Sequence, residues 1–196
     1  GDQIKILQVN SIMTKRDYKK NTGVEWKTDF QNQTIISIGS TQAVYCSMFQ
    51  PCLLLSDFVN ESKPTCKSIE LRGEFKIYAD SLKVWRKKKT KSVQWYTMHE
   101  VGMAIENNEL FIGFTQSLTS NSAEESLKDA VYLQKYNLRT GRFQEWEITP
   151  LLVDDKLIHV RFAGIENNDA VFLYKWNVER WEIRRISLQA LEKSTP

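Results

Sequence analysis

Apolar and polar residues alternate with a period of two through most of this chain, which is the mark of extended strands with one buried face. Residues 33–40, 42–49, 68–79, 110–116, 130–136, 156–163 and 170–176 each read as a strand. The alternation is cleanest over 4–9 and 69–77, where one face is apolar and the other charged or polar. Helix signals are few: a Ser followed by acids at 122–128 and a short terminal segment at 187–193. Residues 56–67, which contain Pro64, and 118–129 read as polar loops. These patterns predict a single all-β domain over 1–196, built of antiparallel hairpins as a sandwich, a barrel or a small propeller. A chain of 196 residues that is 41% hydrophobic and 11% aromatic can fill one substantial core. No apolar run approaches the roughly 18 residues of a membrane-spanning helix.

Internal similarity narrows the architecture further. Ile105-Glu106-Asn107-Asn108-Glu109 returns as Ile165-Glu166-Asn167-Asn168-Asp169, each copy leading into an apolar strand. Leu133-Gln134-Lys135-Tyr136-Asn137 returns as Leu173-Tyr174-Lys175-Trp176-Asn177, with Phe143 and Trp181 following after a polar turn. A weaker copy runs from Ile77-Tyr78 to Trp85. The unit is a hairpin: a strand ending in Tyr or Trp, a polar turn, and a return strand opened by an aromatic. Asn-Asn and Gly141 suit turns that need positive φ. The unequal spacing of the two similarities predicts an insertion over 115–129. The pattern resembles the blades of β-propellers, in particular kelch-like and F-box-associated repeats, over about 75–186. That resemblance implies stacked hairpin units whose loops are free to meet a partner. The chain departs from kelch repeats in lacking their di-glycine and in having only 8 glycines.

The chemistry-bearing residues point to binding. The net charge of +3, from 27 basic and 24 acidic residues, is too balanced to demand a polyanionic partner. One local cluster, Arg86, Lys87, Lys88, Lys89 and Lys91, lies between Trp85 and the pair Trp95-Tyr96. It reads as a hairpin tip, either solvated or able to track phosphates beside stacking rings. A second basic group, Lys15, Arg16, Lys19 and Lys20, matters if folding brings it alongside. His99 and His159 have no nucleophile or metal-ligand arrangement near them in sequence, and no glycine-rich phosphate loop occurs. The acids Asp57, Glu124-Glu125 and Asp154-Asp155 are not spaced in any way that identifies a facing pair. Cys46, Cys52 and Cys66 are not at zinc-ligand spacing. They read as buried thiols, or as one disulfide with a spare thiol if Gln50-Pro51 turns the chain.

Among the 6 tryptophans, Trp85 and Trp181 recur at equivalent hairpin positions and read as packing residues. Trp146 stands at an odd offset from Phe143 and reads as exposed, a contact for a protein partner. The sequons at Asn32 and Asn60 decide nothing. The expectation is a non-enzymatic binding or scaffold domain with no catalytic residues, cofactor or metal, contacting a protein through Trp146 and the basic cluster. The alternatives are nucleic-acid binding through 86–91 and a carbohydrate-directed domain. A chain opening on Gly1 leaves its compartment unread.

Overall fold

The computed structural model describes residues 34–39, 41–47, 52–57, 65–88, 95–119, 129–152, 159–175 and 180–194. Strands β1 (Thr34–Ile38), β2 (Gln42–Ser47), β3 (Cys52–Asp57) and β4 (Thr65–Ile69) form a first sheet, followed by helix α1 (Gly73–Lys88). Strands β5 (Trp95–Glu106), β6 (Glu109–Thr119), β7 (Asp129–Asn137) and β8 (Phe143–Glu147) form a second sheet, followed by the short helix α2 (Thr149–Leu152). Strands β9 (His159–Glu166), β10 (Asp169–Lys175) and β11 (Trp181–Ser187) form a third, and α3 (Leu188–Ser194) ends the described chain. Every pairing is antiparallel between sequence neighbours, so each sheet is a meander. The fold is all-β and sandwich-like, and the described strands form no closed barrel.

The second sheet is the middle layer, because its alternating side chains reach two different cores. Leu110, Ile112 and Phe114 of β6 pack with Val44, Cys46, Leu53 and Leu55 of the first sheet and with Phe75 and Tyr78 of α1. Phe111, Leu133 and Trp146 point the other way, to Phe162, Phe172 and Ile186 of the third sheet and to Leu188 and Leu191 of α3. Each large side chain so buried contributes about 1.5–3 kcal/mol relative to exposure. The first strands of the three meanders gather, β1 against β5 and β5 against β9. The close approach of β9 needs a glycine pair: Gly102 and Gly113 face each other across β5 and β6, and a Cβ on either would run into Phe162.

Two hairpins turn on the repeated Asn-Asn. Asn107 and Asn108 have φ of 50° and 63°, Asn167 and Asn168 of 51° and 65°, the left-handed pair that a two-residue hairpin requires. In each, the carbonyl of the second Asn accepts from a leucine leaving the neighbouring strand, Leu138 N at 2.8 Å and Leu188 N at 3.1 Å.

Several sequence expectations are corrected. The strand expected at 68–79 ends at Ile69, and Gly73 opens a helix. Gly73 has φ of 56°, which breaks the extended run, and Phe75, Tyr78 and Ala79 form a buried stripe at helical spacing within the same letters. The apparent alternation leaves Ile77 45% exposed. The step from Tyr78 to Trp85 therefore runs along α1 and is not a hairpin. The expected insertion at 115–129 is partly strand: Thr115, Gln116 and Ser117 are buried in β6, and Asp129 opens β7. Leu133–Asn137 thus lies in the third strand of its sheet, whereas Leu173 lies in the second strand of its own. Likewise β3 and β4 extend into the loop expected at 56–67. The terminal helix is present as α3, capped by Ser187 Oγ, which accepts from Ala190 N at 3.4 Å.

Cys46 and Cys52 carry thiols, with no disulfide between them. Cys46 lies opposite Leu53 and Cys52 opposite Ser47, so the two thiols point to opposite faces of one hairpin and cannot join. The strand at 4–9, the group Lys15, Arg16, Lys19 and Lys20, the helix at 122–128, Asn32, Asn60 and Trp176 lie outside the described residues.

Candidate functional site

The site is built where α1 begins. The carbonyl of Arg72 accepts the first helical bond, from Lys76 N at 3.2 Å, yet Arg72 has no short polar side chain to cap the helix. The cap comes from 71 residues away: Glu145 on β8 accepts from Glu74 N at 2.9 Å. Glycine suits position 73 because its φ of 56° is left-handed, and a Cβ there would also push that carboxylate aside. Glu145 also accepts from Nε2 of Gln134, a fully buried residue on β7. The same Nε2 donates to the Arg72 carbonyl at 3.1 Å, and Gln134 Oε1 accepts from the Tyr136 hydroxyl at 3.1 Å. Arg72 N donates to that hydroxyl oxygen at 3.4 Å. This buried knot fixes the chain between β4 and α1 against β7 and β8.

Its ionisation follows from its surroundings. Burial raises the Glu145 carboxyl above its ordinary value, the hydrogen bonds from Gln134 and the Glu74 amide oppose that rise, and the Glu74 charge adds to it. Burial also drives the Tyr136 phenol up, so it remains a hydrogen-bond donor.

Above the knot opens a cleft of about 280 Å³, whose walls include Leu55, Lys67, Ile69, Arg72, Tyr136 and the turn 137–141. The turn is locked by its own bonds. Asn137 Oδ1 accepts from Arg139 N at 3.2 Å and Thr140 N at 2.8 Å, and the Asn137 carbonyl accepts from Gly141 N at 2.9 Å. Gly141 adopts φ of 72°, the left-handed position expected of it. Arg142 N donates to Thr140 Oγ1 at 3.3 Å, and Arg72 Nη1 reaches the Gly141 carbonyl at 3.4 Å. Three cations, Lys67, Arg72 and Arg139, border the cleft against one carboxylate, Glu70, which pairs with Arg72 at 3.1 Å. The arrangement suits an anionic group. A single carboxylate among the described lining residues offers no facing acid pair of the kind glycoside hydrolysis uses.

The residues expected to meet a partner lie elsewhere. Trp146 is 7% exposed and its indole N–H donates to the Leu191 carbonyl at 3.1 Å. The odd offset does put it on the face opposite Phe143, but both faces of the middle sheet are covered: Phe143 packs toward the first sheet and Trp146 toward the third. Trp181, expected inside, is 50% exposed, with Lys175 Nζ 5.5 Å from its ring centroid. Arg86, Lys87 and Lys88 are the last three residues of α1 rather than a hairpin tip. Lys89 and Lys91 lie outside the described residues.

The other reactive side chains are placed structurally. His159 sits exposed on β9, with Nδ1 3.6 Å from Glu100, the residue at the bulge of β5. The Cys46 thiol is pushed up by burial and then by the nearby Cys52, which removes it as a nucleophile. Among the described residues no three His, Cys, Asp or Glu side chains gather as metal ligands. Of the cleft, sequence reasoning found the turn around Gly141 but not Lys67 and Arg72, which reach it only through the pairing of β3 with β4 and the knot at Glu145. Comparison with protein-family models, with curated proteins and with solved structures gives no match.

Proposed function

We propose that this is a non-enzymatic binding domain whose cleft beside the β7–β8 turn receives an acidic, partly apolar segment of a protein partner. The observation that carries the reading is the excess of Lys67, Arg72 and Arg139 over Glu70 around a cleft with Leu55, Ile69 and Leu138 in its walls. The locked turn adds to it, since a surface ordered before binding loses little entropy on binding. We read the three meanders as successive blade-like hairpin units with their first strands innermost, an arrangement that leaves turns such as 137–141 free to vary.

The test measures fluorescence anisotropy of a labelled Glu- and Leu-containing peptide and of a labelled single-stranded oligothymidylate. The protein is compared with the Lys67→Glu/Arg139→Glu variant, both side chains being exposed. The peptide is expected to bind in a salt-sensitive way, with affinity reduced at least about tenfold in the variant, as for reversal of charges in a contact. Peptide binding that the variant leaves intact, or oligothymidylate binding with no peptide binding, overturns the proposal; the second result favours the basic residues at 86–91.

A further inference from the structure

We propose that β11 pairs antiparallel with β11 of a second copy of this chain, about a two-fold axis at Ile183, joining two third sheets into one. This surface is separate from the cleft and does not depend on the reading of it. Among the described residues β11 is hydrogen-bonded along one edge only, to β10. The helix that follows it, α3, does not cover the other edge but turns back to the second sheet, where the Leu191 carbonyl accepts from Trp146 and Glu192 pairs with Lys135 at 2.8 Å. An uncovered edge strand is a template for another strand. Ile183, 63% exposed in the middle of β11, is an apolar residue at the place where such an edge is normally charged.

The residues of β11 select the second copy as occupant, and also the register. Two antiparallel strands related by a two-fold axis keep their faces aligned only if the axis passes through a residue, so the choices are few. With the axis at Ile183, Glu182 lies opposite Arg184 of the partner strand, and Arg184 opposite Glu182. Trp181 then lies opposite Arg185, a cation beside an indole ring, and Ile183 meets Ile183. Moving the axis to residue 182 puts Glu182 against Glu182; moving it to 184 puts Arg184 against Arg184, and like charges directly opposite destabilise a pair. Within the chain Arg184 lies 3.9 Å from Glu182 and over the Tyr174 ring, and Arg185 pairs with Glu166, contacts that a partner strand would extend or exchange.

Sedimentation velocity over a wide concentration range tests the proposal, with far-UV circular dichroism checking that each variant is folded. The unmodified chain is expected to show a monomer–dimer equilibrium. Ile183→Lys and Glu182→Arg are each expected to weaken it about a hundredfold, the cost of juxtaposed like charges at an interface. Glu182→Arg combined with Arg184→Glu restores opposite charges and is expected to restore the dimer. Ile183→Cys is expected to give an interchain disulfide on mild oxidation, and Arg184→Cys none beyond the unmodified chain. A protein that sediments as a monomer throughout, or a dimer that survives both Ile183→Lys and Glu182→Arg, overturns it.

Discussion

Trp146-Glu147-Ile148 and Trp181-Glu182-Ile183 are the same three letters at the last strand of two neighbouring sheets, and they meet opposite fates. In the second sheet Trp146 and Ile148 are both buried, and the tryptophan is tied to α3. In the third sheet Trp181 and Ile183 are the exposed residues, and Ile186, of opposite parity, faces the core. The second sheet has a layer on each side, whereas the described structure covers the third on one side only. Strand periodicity says which residues share a face; it does not say whether anything covers that face.

The comparison breaks first at Trp146. Trp146→Ala removes a large core side chain together with its bond to the Leu191 carbonyl, and we expect a loss of about 3–5 kcal/mol in urea unfolding. Trp146→Phe keeps most of the volume, strands that carbonyl of one partner, and is expected to cost about 1–2 kcal/mol. A loss below about 1 kcal/mol for Trp146→Ala would mean that α3 does not cover this face. Gly113→Ala tests the next layer of the same argument. Its Cβ would press on the Phe162 side chain, and we expect overpacking to cost about 1–3 kcal/mol, read in the same assay.

How much of this was legible follows from the same distinction. The strands and the Asn-Asn turns were readable because they depend on local conformation: period two, and side chains that tolerate positive φ. Helix α1 was not, because residues 71–77 satisfy a period of two while Phe75, Tyr78 and Ala79 satisfy a period of 3.6, and the positive φ of Gly73 decides between them. The assignment of Trp146 to solvent assumed a sheet with one wet face, a rule that holds for outer layers and fails for a middle one. The cleft was half legible. Its turn, with Arg139, is local, but Lys67 and Arg72 arrive from β4 and the linker after it, more than 60 positions earlier in the chain.

A pH series sharpens the contrast between the two layers, since Glu145 on β8 is a carboxyl held partly inside the protein. Its folded value is raised above the ordinary 4.5, so over the window above that value the folded state keeps a proton that the unfolded chain has released. Stability is therefore full below the window and falls as the pH rises through it. Glu145→Gln keeps an acceptor for the Glu74 amide and has nothing to titrate. Its unfolding midpoint in urea is expected to fall less than that of the unmodified chain as the pH is taken upward from about 4, a difference smaller than either packing change. Equal slopes for the two proteins would show that this carboxyl does not sense its burial.

The smallest effect is expected at Trp181, and its smallness is what makes it informative. Half of this side chain is already in water, and its described contact is with Lys175, an exposed cation–ring pair of about 0.5–1 kcal/mol. Trp181→Thr keeps a strand-forming residue on the edge, so the loss measured at low protein concentration should be within about 0.5 kcal/mol. Concentration matters because partner binding stabilises the folded chain by mass action. If β11 pairs with itself, raising the concentration should raise the melting temperature of the unmodified chain more than that of Trp181→Thr, which loses the ring opposite Arg185. A large loss at low concentration would instead place Trp181 in the monomer's own core and erase its contrast with Trp146.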